Sequence, residues 1–351
     1  MRTSRGEKPL RAPITSSLLA VLCTGVALNS CRPVVKDTAS SDSADTSVDS
    51  ADTSVDSGGP RCLGSGAWTG VTASFNGTCG IHEDGCVECW TATDTGPMTP
   101  QVNDTGYYGP MGNLVPPEGS YTAVDLPRCT DWGTHACAIR QSDGGIDCWG
   151  SDAWRENSPP AGEFTRLSLG KHDSCALGTD GRIACWGKRI GAGKVATYTA
   201  DTDYVDLSNC GSVCGLASDG HVDCWDIGHE THLFVSEGPW TAIDNDWAEV
   251  IGVTPEGYVS STSTSLDLPQ PKSGAVDLCL ANAGGGCVLD MEGRVTCTGE
   301  AGGDRGGKGP PAEIFVSIDC GYSHACGVTT DGLIECWGNC QWGRCDVPEH
   351  E

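Results

Sequence analysis

The feature that most constrains this chain is a phrase that returns with two cysteines at fixed places. It is clearest as HACGVTTDGLIECWG, from His324 to Gly338. It returns as DSCALGTDGRIACWG from Asp173, GSVCGLASDGHVDCW from Gly211, HACAIRQSDGGIDCWG from His135 and GTCGIHEDGCVECW from Gly77. GGCVLDMEGRVTCTG, from Gly285, keeps both cysteines but has Thr298 where Trp stood, and EVIGVTPEGYVSST, from Glu249, lacks Cys and Trp alike. Asp331-Gly332, or its equivalent, separates two short apolar runs, which is a hairpin signal. A three-residue loop with Gly in the left-handed conformation sets Val328 opposite Ile334 and Cys326 opposite Cys336. Side chains alternate with period two, so these four share one face. The same register pairs Leu177 with Ile183, Leu216 with Val222, Leu289 with Val295, Ile81 with Val87 and Ile139 with Ile146.

Each hairpin is preceded by a turn and a further strand. PPEGSYTAVDL near Pro116, PPAGEFTRLSL near Pro159 and GPPAEIFVSIDC near Gly309 carry this second signal, and DTDYVDLS, GPWTAIDN and KSGAVDLC are looser versions. From Cys148 onward, equivalent positions are 37, 39, 37, 36 and 39 residues apart. Periods of this size with several strands per unit mean a propeller or a solenoid. Forty-nine glycines and a 38% hydrophobic content suit many short strands joined by tight turns.

Twenty-two cysteines imply an oxidising compartment or metal. The register sets six pairs opposite one another: Cys79/Cys89, Cys137/Cys148, Cys175/Cys185, Cys214/Cys224, Cys287/Cys297 and Cys326/Cys336. In the fifth repeat both positions are lost together, to Ile251 and Ser261, as disulfide partners should be. Each bridge closes a short loop worth about 3 kcal/mol of chain entropy. Cys340 and Cys345 are expected to pair around a turn. Cys62, Cys86, Cys129, Cys210, Cys279 and Cys320 stay unassigned. The rival is zinc, from the lone Cys86-Val87-Glu88-Cys89 motif or from His172 and His324 beside Cys175 and Cys326, but no second motif stands at ribbon spacing. No metal and no cofactor are expected.

The phrase with His, a small residue, an apolar pair, Asp-Gly and Trp-Gly resembles the regulator-of-chromosome-condensation repeat, as does the tail WGNCQWGRCDVP. The resemblance covers about Arg61 to Pro348, and the spacing is similar to the propeller-type β-lactamase-inhibitory proteins. It implies an all-β fold, a seven-bladed β-propeller, here with disulfide-stapled hairpins. Asp346–Pro348 and Gly66–Val71 read as two halves of one repeat, so the N-terminal strand is expected to complete the last blade and leave no free edge.

Arg2, Arg5, Lys8 and Arg11 precede an apolar stretch from Ile14 to Leu28, the layout of a secretory signal peptide. It ends in Leu28-Asn29-Ser30-Cys31, which resembles a bacterial lipobox with Cys31 as the acylated residue. Arg32 after it resembles outer-membrane sorting. From Lys36 to Gly59 the chain is small, polar and acidic, with SADTSVD twice in tandem, so a disordered stalk is expected. As a flexible coil it would span ~25–30 Å. The expected domains are therefore a signal peptide over 1–30, an anchor and linker over 31–59, and the propeller over 60–351.

The formal net charge is -26. A body this acidic repels nucleic acid and anionic head groups, so membrane contact is expected through the lipid anchor only, and the chromatin role of the family's eukaryotic members is not expected here. No GxSxG, HExxH or P-loop phrase is present, and no nucleophile recurs beside His135 or His324, which are read as core fillers. No catalytic residue is assigned. From Cys89 to Cys148 the gap is 59 residues, and the excess, Thr91 to Gly119, carries Met98, Tyr107, Tyr108 and Met111. A long loop on a rigid ring is where binding resides. The expected function is a monomeric cell-surface binding scaffold for an unidentified protein or glycan. The alternatives are an enzyme inhibitor and a polysaccharide-active enzyme, the latter requiring a carboxylate pair in the central channel.

Overall fold

The computed structural model describes residues 66–75, 77–91, 101–103, 106–108, 115–129, 135–191, 194–199, 203–227, 232–236, 238–247, 249–262, 268–281, 284–303 and 306–348. The chain divides into two units, Met1–Asp56 and Ser57–Glu351, and every described residue lies in the second. The expected leader, Cys31, the linker and Cys62 lie outside the described residues, as do Met98 and Met111.

Seven antiparallel sheets follow one another as blades of a β-propeller, each with inner, middle and outer strands in chain order. The inner strands are Trp68–Ala73, Tyr121–Asp125, Phe164–Leu169, Tyr204–Asn209, Ala242–Asp246, Ala275–Leu280 and Phe315–Cys320. Blades 3 and 4 add a fourth strand, Ala196–Tyr198 and His232–Ser236. A separate hairpin, Gln101–Asn103 with Gly106–Tyr108, stands in the insertion between blades 1 and 2.

The hairpin register is the one the sequence dictates. Val328 opposes Ile334 and Cys326 opposes Cys336, with the equivalent pairs in the other blades. The turn glycine of each hairpin has positive φ, from Gly85 (φ 85) to Gly332 (φ 74). It is also a point of close approach, since a Cβ on Gly332 would lie 2.3 Å from that of Ala67. Its carbonyl accepts the N–H of the residue that opens the next blade: Gly85 from Tyr121, Gly144 from Phe164, Gly181 from Tyr204, Gly220 from Trp240, Gly257 from Ala275 and Gly293 from Phe315. The seventh bond of this series, Trp68 N–H to Gly332 at 2.8 Å, joins blade 1 to blade 7 and closes the ring.

One apolar cluster fills each junction. In it the cysteine and aliphatic pairs of one blade meet the opening aromatic or the Trp of the next, as Ile81 and Val87 meet Tyr121 and Trp149. At the closing junction Val328 and Ile334 meet Trp68 and Trp90. Junction 5–6 lacks both partners. Blade 5 offers Ile251 and Ser261 in place of a disulfide, blade 6 has Thr298 in place of Trp, and Leu268 fills the space. The two losses in the repeat pattern are therefore one event at one interface.

Closure differs from the expectation. Trp68–Ala73 is the inner strand of blade 1 and pairs with Gly77–His82, so it does not complete the last blade. Residues Asp346–Pro348 form no strand. The tail reaches blade 1 instead, where the Arg344 carbonyl accepts from Trp90 Nε1 (3.1 Å) and Thr78 Oγ1 (2.9 Å), and Val347 packs against the closing cluster. Trp68 opens an inner strand as Tyr121, Phe164 and Tyr204 do, and that equivalence outweighs the fit of Asp-Val-Pro to Ala-Trp.

Candidate functional site

The inner strands line a central cavity of about 180 Å³, with Asp125, Ser168, Ser208, Asp244, Cys279 and Asp319 on its wall. These residues, with Thr72, hold one position, the fifth counted from the residue whose N–H meets the preceding hairpin glycine. At six junctions that side chain accepts a backbone N–H from the sixth residue, by the same count, of the next blade. Thr72 Oγ1 accepts from Leu126 at 3.3 Å, Asp125 from Leu169 at 2.7 Å and Ser168 from Asn209 at 2.8 Å. Ser208 accepts from Asn245 at 3.1 Å, Asp244 from Leu280 at 2.8 Å and Asp319 from Ala73 at 2.8 Å. At the remaining junction, between blades 6 and 7, the same two positions are Cys279 and Cys320, joined as a disulfide. A covalent bond stands where the other blades use a hydrogen bond.

Channel carboxylates are thus present, as a polysaccharide-active enzyme would require, but each of the three just named is engaged in tying blades. Burial first, then repulsion from Asp319, pushes Asp125 up to about 7 against the pull of its hydrogen bonds. Burial also drives Asp277, on the same wall, up to about 7, with Asp206 and Asp319 adding repulsion. Two cations meet this acidic ring, and one of them, Arg166, lies 3.5 Å from Asp206. Arg128, from the segment leaving the inner strand of blade 2, donates to both oxygens of Asp244, to Ser208 Oγ (2.9 Å) and to the Asn245 carbonyl (3.2 Å). The next residue, Cys129, is bonded to Cys210 of blade 4. The segment is pinned across the channel by one ion pair and one covalent bond.

The structure joins Cys79 to Cys89, Cys137 to Cys148, Cys175 to Cys185, Cys214 to Cys224, Cys287 to Cys297 and Cys326 to Cys336, with Cα atoms 4.0–4.1 Å apart. Cys340 is joined to Cys345, and Cys86 is disulfide-bonded as well. The hairpin sulfurs belong to the blade junctions and not to a ligand surface. Cys224 packs with Ile243 and Val250 of blade 5, and Cys297 Sγ accepts from Trp337 Nε1 of blade 7 at 3.2 Å. The sulfurs of Cys279, Cys287 and Cys320 lie within 4.8 Å of one another, but all three are in disulfides, so no thiolate is available to a metal there. His135 Nε2 meets Ser174 Oγ at 2.8 Å and His324 Nε2 meets Thr78 Oγ1 at 3.2 Å. Both contacts cross to the next blade. Burial pushes these imidazoles down to about 4 and about 3, so they stay neutral.

The disc has two chemically different sides. Inner strands start beside the Asp-Gly hairpin turns and end on the opposite side, where outer strands end too. Every hairpin turn exposes a carboxylate: Asp84, Asp143, Asp180, Asp219, Glu256, Glu292 and Asp331. The opposite side carries Arg128, Cys129–Cys210 and two exposed indoles, Trp154 and Trp247, which sequence reasoning missed because they lie outside the repeating phrase. The insertion leaves blade 1 at Thr91 on this side. Tyr107 and Tyr108 lie on its short strand, opposite Val102 and Gln101.

Residues 315–339 match the family model of the Regulator of chromosome condensation (RCC1) repeat. That segment is a repeat of this type. No curated protein matches it. Among solved structures it is similar to the CRINKLY WD40 ectodomain of the Arabidopsis thaliana receptor kinase ACR4, with a TM-score of 0.58 at 19% identity over 78% of this chain and 98% of that one. The ectodomain of the Physcomitrella patens receptor kinase CR4 gives 0.57 at 18% identity over 78% and 74%. Human WBSCR16 gives 0.57 at 12% identity over 76% and 88%. At these identities the likeness is one of fold.

Proposed function

We propose that this chain is a binding scaffold of the cell envelope, carried on an acylated Cys31 and the linker 31–59, that recognises a protein or glycan through its loops. The observation that carries the reading is the use of the channel wall. Asp125, Asp244 and Asp319 are committed to blade ties, and a cavity of about 180 Å³ falls below the ~300–1,000 Å³ of ordinary ligand pockets. Recognition is left to loops held by a rigid, disulfide-stapled frame. The disulfides themselves require an oxidising environment, which agrees with export. The insertion with Met98, Tyr107, Tyr108 and Met111 is part of the proposed contact surface, since loop tyrosines give amphipathic area at low entropic cost.

The test is affinity capture from envelope extract with the mature, oxidised chain. One partner retained against a reduced and alkylated control is the expected result. Turnover of a polysaccharide by the purified chain, abolished by Asp125→Asn, would replace this reading with the enzyme. Capture of an enzyme whose activity then falls would make the scaffold an inhibitor.

A further inference from the structure

The residue that supplies each belt tie stands directly opposite the middle-strand position of its own hairpin staple. Thr72 faces Cys79, Asp125 faces Cys137, Ser168 faces Cys175, Ser208 faces Cys214 and Asp319 faces Cys326. In blade 5 the pair is Asp244 and Ile251. In blade 6 alone both members are cysteines, Cys279 and Cys287. Cys287 in turn faces Cys297 on the outer strand. Three cysteines therefore stand in a row across one sheet, and Cys320 of blade 7 joins them in one cluster with Phe315, Ile318 and Trp337. Two disulfides occupy these four positions, Cys279–Cys320 between blades and Cys287–Cys297 within the hairpin.

The sulfurs of Cys279, Cys287 and Cys320 lie within 4.8 Å of one another, so Cys287 is in reach of a bridge to which it does not belong. Register makes Cys279 its alternative partner. Opposed residues of an antiparallel pair have Cα atoms ~4.5–5.5 Å apart, inside the ~4.4–6.8 Å that a disulfide spans, and their side chains share a face. Access is graded. Cys279, Cys287 and Cys320 are 3%, 0% and 0% exposed, whereas Cys297 is only partly buried. Cys297 Sγ also accepts from Trp337 Nε1 at 3.2 Å, and that N–H is in place to hydrogen-bond a thiolate. Of the four sulfurs, Cys297 is the one that a thiol from outside meets first.

We propose that these four cysteines form a thiol-exchange relay, which carries reduction of the blade 6 hairpin to the tie between blades 6 and 7, with a dithiol as the reacting partner. A thiolate of the dithiol attacks Cys297 Sγ, the Cys287–Cys297 bond breaks, and its electron pair leaves on Cys287 Sγ. The Cys287 thiolate attacks Cys279 Sγ. A Cys279–Cys287 bond forms, the Cys279–Cys320 bond breaks, and Cys320 leaves as a thiolate. The second thiol of the partner resolves its mixed disulfide and frees Cys297. The partner loses two electrons and two protons and becomes a disulfide, while Cys297 and Cys320 become thiols. The chain has lost one bridge, and the one lost joined two blades. Among the described residues Cys279–Cys320 is the one disulfide that ties blade 6 to a neighbour, and junction 5–6 has Ile251 and Ser261 where other junctions have a bridge. Exchange leaves blade 6 with no disulfide to either side.

The test treats the mature oxidised chain with dithiothreitol under native conditions, blocks free thiols with N-ethylmaleimide and maps the peptides without reduction. A Cys279–Cys287 bridge with Cys297 and Cys320 blocked is the expected product, and amides of Phe315–Cys320 should exchange faster in it. Cys287→Ser with Cys297→Ser should slow the blocking of Cys320 at least about tenfold, because a thiolate held beside the bridge acts at high effective concentration. In Cys297→Ala, with no reductant added, Cys287 is a thiol beside the bridge, and both the Cys279–Cys320 and the Cys279–Cys287 isomers should be present. Cys287 and Cys297 blocked with Cys279–Cys320 intact, or no reaction in blade 6 short of unfolding, overturns the relay. So does Cys279–Cys320 as the single isomer of Cys297→Ala, or blocking of Cys320 in the double variant within about twofold of wild type. A Cys287–Cys320 product, or unchanged exchange at Phe315–Cys320, overturns the release of blade 6.

Discussion

Asp244→Ala should be among the most damaging single changes in the ring, and its cost should far exceed that of Arg128→Met. Asp244 accepts from the Arg128 guanidinium and also from Leu280 N–H, Asn245 N–H and Ser208 O–H, each at 2.8 Å. Without Arg128 the carboxylate keeps those three donors. Without Asp244 the guanidinium keeps hydrogen bonds to Ser208 Oγ and the Asn245 carbonyl, with the charges of Asp319, Asp125 and Asp246 still acting on it. The backbone that carries it is held in place, because Cys129 is bonded to Cys210 beside it. Removing one partner of a buried pair costs about 3–5 kcal/mol, and the orphaned Leu280 N–H adds about 1–3. Arg128→Met should cost about 1.5–3 kcal/mol, the worth of the charged hydrogen bonding lost. Guanidinium unfolding of the oxidised chain measures both, and the double variant closes a cycle. A coupling of about 2 kcal/mol or more is expected. Additivity within about 0.5 kcal/mol, or a larger loss from Arg128→Met, would refute the reasoning.

Other expectations follow from the same ties. Replacing Cys129 and Cys210 by Ser should destabilise by about 4.5 kcal/mol, against about 2.7 for Cys175 and Cys185, because loop entropy grows with the logarithm of the residues closed; equal losses in denaturant titrations would contradict this. For pH, the folded chain keeps a proton on Asp277 up to about 7, so this group's stabilisation falls as pH climbs from the ordinary carboxylate range through 7. His135 and His324, pushed down to about 4 and about 3, lose stability in the opposite direction, as pH falls below about 6.5. Asp277→Asn should therefore flatten the fall in stability between about pH 4 and 7, and denaturation midpoints parallel to wild type across that range would exclude it. Junction 5–6, with neither disulfide nor Trp, should open first, so amides of Glu249–Val253 should exchange sooner than those of Asp173–Gly178; the reverse order by hydrogen exchange would refute it.

The hairpins were legible because their register is a local matter. Two residues such as Val328 and Ile334 are set opposite by a three-residue turn, and side-chain alternation does the rest. The bridges Cys214–Cys224 and Cys287–Cys297 follow from the same register, although the second lies in a copy that has lost its Trp. The ring count was legible because the phrase survives even in the fifth copy. The long-range sulfur pairs were not. Cys279 and Cys320 stand at consecutive positions of corresponding inner strands, but aligning those strands requires the ring to be closed first. Cys129 with Cys210 had no repeating signal, because it belongs to a segment that leaves the pattern to cross the channel. Trp154 and Trp247 were invisible for a related reason. Periodicity reports positions that pack, and an indole held outward at a turn packs against nothing that repeats.

The two kinds of tie have different consequences for what the chain can vary. At the hairpin turns the link between blades is made by a backbone carbonyl and a backbone N–H, and it demands a residue that tolerates positive φ and has no Cβ to meet the next blade, which is glycine. The inner belt demands a side-chain oxygen at the fifth residue counted from each blade's opening N–H, and Thr, Asp and Ser all serve; the Cys279–Cys320 bond shows that a covalent link serves as well. Leu126 apart, neither tie involves the residues between inner and middle strands or those after the outer strand. Those segments are free to carry Trp247, Trp154 and the 91–119 insertion without cost to the ring, and all three emerge on the side away from the hairpin carboxylates. A scaffold whose cohesion is settled at two fixed radii leaves one face for recognition, and that division of labour connects the repeat seen in the sequence with the binding surface proposed here.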